Sequence, residues 1–140
     1  MNAAGYRLID HTADFGIKIF GRDAIDLYRN AALALADLLV RGSTDRPSSR
    51  RDLRIQGADP ADLMVNWLRE LLYLWNGYQR ITVDVDIREL YDHHLNALVT
   101  LSDFDPQQHH ILHEIKAVTY HQVAVEQGER GWWARVIFDV

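Results

Sequence analysis

Two carboxylate-bearing stretches lie far apart in this 140-residue chain. Near the start, Asp10-His-Thr-Ala-Asp14 runs into Phe15-Gly16, and the other end reads Phe138-Asp139-Val140 directly out of a strand pattern. If the last strand runs beside the first, the carboxylates of Asp14 and Asp139 and the α-carboxylate of Val140 can converge. Carboxylates brought together repel unless a cation sits among them, and an all-oxygen set suits a hard divalent ion such as Ca²⁺ or Mg²⁺ rather than zinc. The same residues have an ordinary reading. Asp and Thr in a tight turn bond to their own backbone, and an Asp at a chain end is commonly solvated. His11 fits either reading, as a ligand or as a hydrogen-bonded turn histidine.

Lys116 is the second chemically suggestive residue. Thirteen of the fifteen basic residues are arginine, and the lysines are Lys18 and Lys116. A compact ammonium acts as a point charge toward phosphate or carboxylate where a planar guanidinium would not serve. The segment His113-Glu-Ile-Lys-Ala-Val-Thr-Tyr-His121 is expected as strand, with Lys116, Val118 and Tyr120 on one face. The plain alternative is a lysine on the wet side of a sheet.

His109, His110 and His113 invite a zinc or metal-hydrolase reading. With no cysteine, no His-Glu-x-x-His pattern and a loop expected after Pro106, that reading lacks the usual ligand set. Trp67 and Trp75 fall on an apolar stripe and are assigned to the core. Trp132 and Trp133 point to opposite faces of a strand, so one of them is a candidate for a partner surface. Glycine-rich phosphate loops and a GxSxG elbow are both absent.

Composition narrows the partners. The formal net charge is −5. Residues 1–70 balance ten basic against ten acidic side chains, whereas residues 71–140 carry five against ten, together with six of the seven histidines. Without a basic surplus, strong direct nucleic-acid binding is not expected. Hydrophobic residues at 48% and charged residues at 25% suit a globular protein with a real core. No run is long enough for a transmembrane helix and no signal-peptide pattern opens the chain, so a cytoplasmic protein without membrane contact is expected.

Two helices and several strands must position these groups. Ile25, Tyr28, Ala31, Ala32, Leu35, Leu38 and Leu39 form one helical stripe, capped by Asp23 with Asp26 three residues on and closed by Gly42. Met64, Trp67, Leu68, Leu71, Leu72, Trp75 and Tyr78 form a second, starting at Asp59-Pro60 and ending near Gly77. Alternation predicts strands over Tyr6–Ile9, Phe15–Phe20, Leu53–Ile55, Ile81–Ile87 and Leu95–Leu101. A turn is expected over Leu90–His93, and a final hairpin of Ile115–Val125 with Trp132–Phe138. No repeat at a fixed period is read. The expected fold is α+β, with two helices packed on a mostly antiparallel sheet in one domain over 1–140.

Assembled in order, these stretches resemble the archease family. The likeness is carried by Asp10-His-Thr-Ala-Asp14, Asn30-Ala-Ala-Leu-Ala-Leu35, Trp67-Leu-Arg-Glu-Leu-Leu-Tyr-Leu74, His113-Glu-Ile-Lys-Ala-Val-Thr-Tyr-His121 and Val136-Ile-Phe-Asp-Val140. The resemblance implies a non-enzymatic protein cofactor of the RNA-splicing ligase, promoting its guanylylation and multiple turnover in tRNA splicing or RNA repair. It implies a divalent metal site, with Ca²⁺ as the ion, on Asp14, Asp139 and Val140, and a functional lysine at Lys116. A chaperone-like modulator of a tRNA-modifying enzyme, such as a tRNA methyltransferase, is the alternative within the same family. The chain departs from the common pattern at Phe15, where a smaller aliphatic residue is usual, and in its histidine-rich Gln107–His113 stretch.

Overall fold

The computed structural model describes residues 5–9 and 15–140. Its elements run β1 (Tyr6–Ile9), β2 (Phe15–Gly21), α1 (Ala24–Leu39), β3 (Val40–Gly42), β4 (Ser49–Gln56) and α2 (Pro60–Tyr78). They continue with β5 (Arg80–Tyr91), β6 (His94–Asp103), β7 (His109–Ile111), β8 (Ala117–Val118), β9 (Ala124–Gly128) and β10 (Gly131–Asp139). The class is α+β, and every strand pairing among the described residues is antiparallel. The strands form three sheets rather than one. The first has the order β1-β2-β10-β8 with β9 also on β10; the second is β4-β6-β5; the third is the short pair β3-β7.

One apolar cluster joins both helices to the inner faces of the two larger sheets. It includes Ile17, Ile19, Val136 and Phe138 from the first sheet and Leu53, Leu95, Val99 and Leu101 from the second. Trp67 lies fully buried at its centre, and its indole N–H still needs an acceptor there. It finds one in the Tyr28 carbonyl at 2.9 Å, while the Tyr28 hydroxyl donates to the Pro60 carbonyl at 2.7 Å. These two bonds tie α1 to α2 inside the core.

Both helix starts follow the sequence reading, but other details differ. Ile25 stands 48% exposed, because the inward arc of α1 is set by Leu27, Tyr28 and Ala31 instead. α1 runs through an extended C-cap at Val40 straight into β3, so Gly42 is a strand residue, and α2 ends on Gln79 in the left-handed region with Gly77 inside the helix. Tyr78 is exposed. The β5–β6 turn is only Asp92-His93, with Leu90 paired to Leu95, and register shifts at Thr82/Asp84 and Ile87/Glu89 interrupt the expected alternation. An extra residue at a bulge resets which face follows, and Thr82 is accordingly buried while Val83 is half-buried.

A repeat is present after all. Gly21-Arg-Asp-Ala-Ile-Asp-Leu27 and Gly57-Ala-Asp-Pro-Ala-Asp-Leu63 each join a strand to a helix. In both, the first aspartate caps the helix by accepting the amide of the second, at 2.8 Å in each unit. The second aspartate reaches back to the amide before the cap, Arg22 at 2.9 Å and Ala58 at 2.8 Å. An asparagine further on closes the joint: Asn30 donates to the Phe20 carbonyl and Asn66 to the Gln56 carbonyl, both at 2.8 Å. The glycine is required by proximity, since a Cβ would lie 2.4 Å from the Leu27 nitrogen at Gly21 and 2.5 Å from the Leu63 nitrogen at Gly57. The helix bodies diverge beyond these joints, which hides the period in the sequence.

Candidate functional site

The end of β10 is the place where sequence-identified residues meet. β10 runs beside β2 rather than β1, with Phe138 opposite Phe15. Its other edge carries β9 and then β8, where Phe138 pairs with Val118 and Asp139 with Ala117. Val136, Ile137 and Phe138 are buried, whereas Asp139 and Val140 are exposed, so the chain leaves the core at Asp139. The Lys116 amide donates to the Asp139 carbonyl at 2.7 Å. Lys116, Asp139 and Val140 therefore share one end of the first sheet, and the Lys116 ammonium makes no ion pair with a carboxylate among the described residues. Asp14 and His11 lie outside the described residues.

Lys116 is not held by the long strand expected over Ile115–Val125. That stretch contains only the two-residue β8 before a turn over 119–123, with Gln122 at φ 52°. The alternation fails with it: Lys116 and Tyr120 are exposed while Val118 is buried. Side chains take over from the ladder. Thr119 turns both its amide and its hydroxyl onto the Ile137 carbonyl, at 3.0 and 2.8 Å.

α2 then fixes the segment at three points. Asn76 Nδ2 donates to the Ile115 carbonyl at 3.1 Å, and Arg69 Nε donates to the Val118 carbonyl at 3.1 Å. The Tyr120 hydroxyl donates to Asp62 Oδ1 at 2.6 Å, with the Arg69 guanidinium 4.7 Å from the Tyr120 ring centre. Asp62, Arg69 and Asn76 are spaced seven residues apart, which is two helical turns and one line along the helix. Sequence reasoning passed over these three. The available signal is a polar line at that spacing along α2.

The short bond shapes the chemistry of its partners. The Tyr120 hydroxyl, followed by the Ala58 amide, holds the Asp62 carboxyl below the usual aspartate range. Reciprocally, donation to Asp62 pushes the Tyr120 hydroxyl above the ordinary tyrosine value. Both follow from a hydrogen bond that favours the carboxylate and the neutral phenol.

The histidines do not assemble. His109 is buried in β7; its Nδ1 accepts the Asp105 amide at 2.8 Å and its Nε2 meets the Ser43 carbonyl at 2.6 Å. Both ring nitrogens are used, which fixes the neutral tautomer with its proton on Nε2 and leaves no lone pair for a metal. His110 and His113 are exposed, and His113 lies with its ring 4.8 Å from that of Phe15. Among the described residues no group of three or more His, Cys, Asp or Glu side chains is placed to hold a metal ion. Asp139 and Val140 offer hard oxygen donors, the type a Ca²⁺ or Mg²⁺ ion takes, but an incomplete set by themselves. Trp132 packs on the core, and Trp133 lies under the Lys18 ammonium at 4.4 Å.

A family model for the archease protein family matches residues 6–140. The chain belongs to the archease family. The archease of Methanosarcina mazei is 30% identical over 139 residues, covering 96% of this chain and 95% of that protein. The archease of Pyrococcus furiosus is 31% identical over 135 residues, covering 94% and 95%. The solution structure of Methanobacterium thermoautotrophicum protein 1598 superposes with a TM-score of 0.77 at 28% identity, covering 98% of this chain and 99% of that one. A crystal structure of an archease from Thermotoga maritima, named a possible chaperone, gives a TM-score of 0.63 at 18% identity over 96% of each chain. That last likeness is one of fold. Among the described residues of this archease, no helix is long and apolar enough to cross a membrane.

Proposed function

We propose that this archease is a non-enzymatic protein cofactor of the RNA-splicing ligase, promoting guanylylation of the ligase and its multiple turnover in tRNA splicing or RNA repair. The observation that carries the reading is the meeting of Lys116 with the Asp139–Val140 end of β10, on a segment pinned to α2. Such pinning gives an exposed ammonium a defined position, as a surface that must match a partner requires. In this reading Asp14, Asp139 and Val140 supply the oxygen donors for a divalent cation, with Ca²⁺ as the fitting ion. A bound cation would contribute charge neutralisation beside phosphate groups. Lys116 adds a positive point charge at the same end, and Asp139 holds its place through the ladder with Ala117.

The experiment is guanylylation of the purified ligase with and without this protein, with the divalent ion titrated. Lys116→Ala and Asp139→Ala are each expected to lower stimulation by at least tenfold while circular dichroism stays unchanged. A residue added beyond Val140 is expected to weaken stimulation as well. Full stimulation by all three folded variants would remove the proposal. A second reading is a chaperone-like modulator of a tRNA-modifying enzyme such as a tRNA methyltransferase; for its chaperone part alone, the Thermotoga relative is named a possible chaperone. That reading is marked by rescue of the modifying enzyme's solubility that persists in the same variants.

A further inference from the structure

We infer that the outer face of the first sheet, around Arg7, Lys18 and Phe20, is a binding surface for single-stranded nucleic acid, independent of the partner proposed above. Register places Arg7 opposite Lys18 and Lys18 opposite Arg135 on three adjacent strands. At about 4.8 Å per strand, the three cations span roughly 10 Å in a single row. Two residues along, Phe20 stands opposite Trp133 in a second row of aromatic side chains. β9 contributes Ala124 opposite Arg135 and Glu126 opposite Trp133, so one acid borders the face and none stands in the cationic row among the described residues.

Like charges placed directly opposite cost stability in a sheet. Here no carboxylate within ion-pair distance offsets them among the described residues. Instead they lean on the aromatic rings. Lys18 Nζ lies 4.4 Å from the Trp133 ring centre and 5.8 Å from that of Phe20, and the guanidinium groups of Arg7 and Arg135 lie at 6.0 Å from Phe20 and 5.9 Å from Trp133. Arg135 also donates to the Gln122 carbonyl at 2.8 Å. Beyond the aromatic row, the surface opens into a groove of about 600 Å³ between the start of α1 and the β9–β10 hairpin. Arg22 and Arg130 border it, together with Asp26 and Glu129.

A row of cations beside a row of aromatic rings matches a single strand, whose phosphates seek positive charge and whose bases seek flat faces. An acidic peptide would satisfy the cations but leave Phe20, 40% exposed, without a counterpart. The acidic composition of the chain does not oppose this, because Arg7, Lys18 and Arg135 stand together in a row that holds no acid among the described residues. Three phosphate contacts imply modest, salt-sensitive binding. With a slope near −0.7 per contact, affinity should fall roughly twentyfold between 50 and 200 mM salt.

The test is fluorescence anisotropy of labelled 12-nucleotide oligo(rU) and oligo(dT) with the full chain at 50 mM salt. Unlabelled oligoglutamate serves as competitor. Binding of either oligonucleotide is expected, with quenching of tryptophan emission and little competition from oligoglutamate. Arg7→Gln and Lys18→Gln should each weaken binding severalfold and flatten the salt slope by about 0.7, while Phe20→Ala should weaken it about tenfold. Arg7 is exposed, so its variant keeps the test open if changes at Lys18 disturb folding. No binding of either oligonucleotide, unchanged affinity in folded Arg7→Gln and Phe20→Ala, or oligoglutamate competing as well as unlabelled oligonucleotide would each overturn the inference. Preference between RNA and DNA names the form of the ligand.

Discussion

The two strand–helix joints, β2–α1 and β4–α2, share one design and diverge in what they do with it. Both use a glycine against the helix backbone, a capping aspartate, a second aspartate reaching back and an asparagine on the strand carbonyl. The differences lie in the remaining positions. Asp26 takes the neighbouring Arg22 Nε at 3.4 Å, a local contact, whereas the equivalent Asp62 takes the distant Tyr120 hydroxyl. Leu33 and Val40 of the first unit stand where Arg69 and Asn76 of the second hold the Lys116 segment. The strands diverge in the same manner. Lys18 in β2 is flanked by Arg7 and Arg135, while its equivalent Arg54 in β4 sits in a row with Asn96 and Glu89. Arg50 stands across Thr100 from Asp84, and Asp52 across Leu98 from Asp86, so that second face mixes cations with acids where the first carries a row of cations. Shared residues thus build the joint, and unshared ones build surfaces.

If the joints are equivalent, the largest effect should come equally from both glycines. Gly21→Ala and Gly57→Ala each drive a Cβ into helix backbone that cannot move aside, and each should cost about 3 kcal/mol in urea unfolding. Tolerance of one change and not the other would break the equivalence. Asn30→Ala and Asn66→Ala give a finer comparison. Each removes one side-chain bond to a strand carbonyl and should cost about 1 kcal/mol. A difference well above that between them would show that one asparagine does more than close its joint.

How far such features can be read from sequence depends on whether they are local. The apolar stripes, the Asp23 and Asp59 caps and most strand alternation are properties of neighbouring residues, and the helices and strands follow them. Bulges at Thr82/Asp84 and Ile87/Glu89 depend on the partner strand and were not visible. The Ile115–Val125 stretch departs from its strand pattern because α2, well before it in sequence, captures its carbonyls. The cationic row has the same origin: Arg7, Lys18 and Arg135 are unremarkable singly and become a feature only through register. At the candidate site, Lys116 and Asp139 drew notice by type and by family likeness, while the residues that position them did not. Asp14 lies outside the described residues, and its part rests on the family pattern.

The smallest expected effect isolates the contact that Asp62 makes and Asp26 does not. Tyr120→Phe removes the hydroxyl that is the leading cause of the lowered Asp62 carboxyl, so the Asp62 midpoint should move up toward the ordinary aspartate range. The sign for stability follows from linkage. A carboxyl lowered in the fold contributes above its unfolded value, near 3.9, and that contribution is lost as pH falls through the lowered folded value. The variant should therefore lose part of its advantage at neutral pH and show a shallower acid limb. Tyr120 itself, raised in the fold, contributes below its ordinary value and loses that contribution as pH rises through the raised one. The variant should thus be less sensitive at the alkaline end as well. Carboxyl NMR titration of Asp62 in the two proteins reads the first effect directly. An unchanged midpoint would mean that the bond between Tyr120 and Asp62 does not form in solution, and of the three ties between α2 and the Lys116 segment only those of Arg69 and Asn76 would remain.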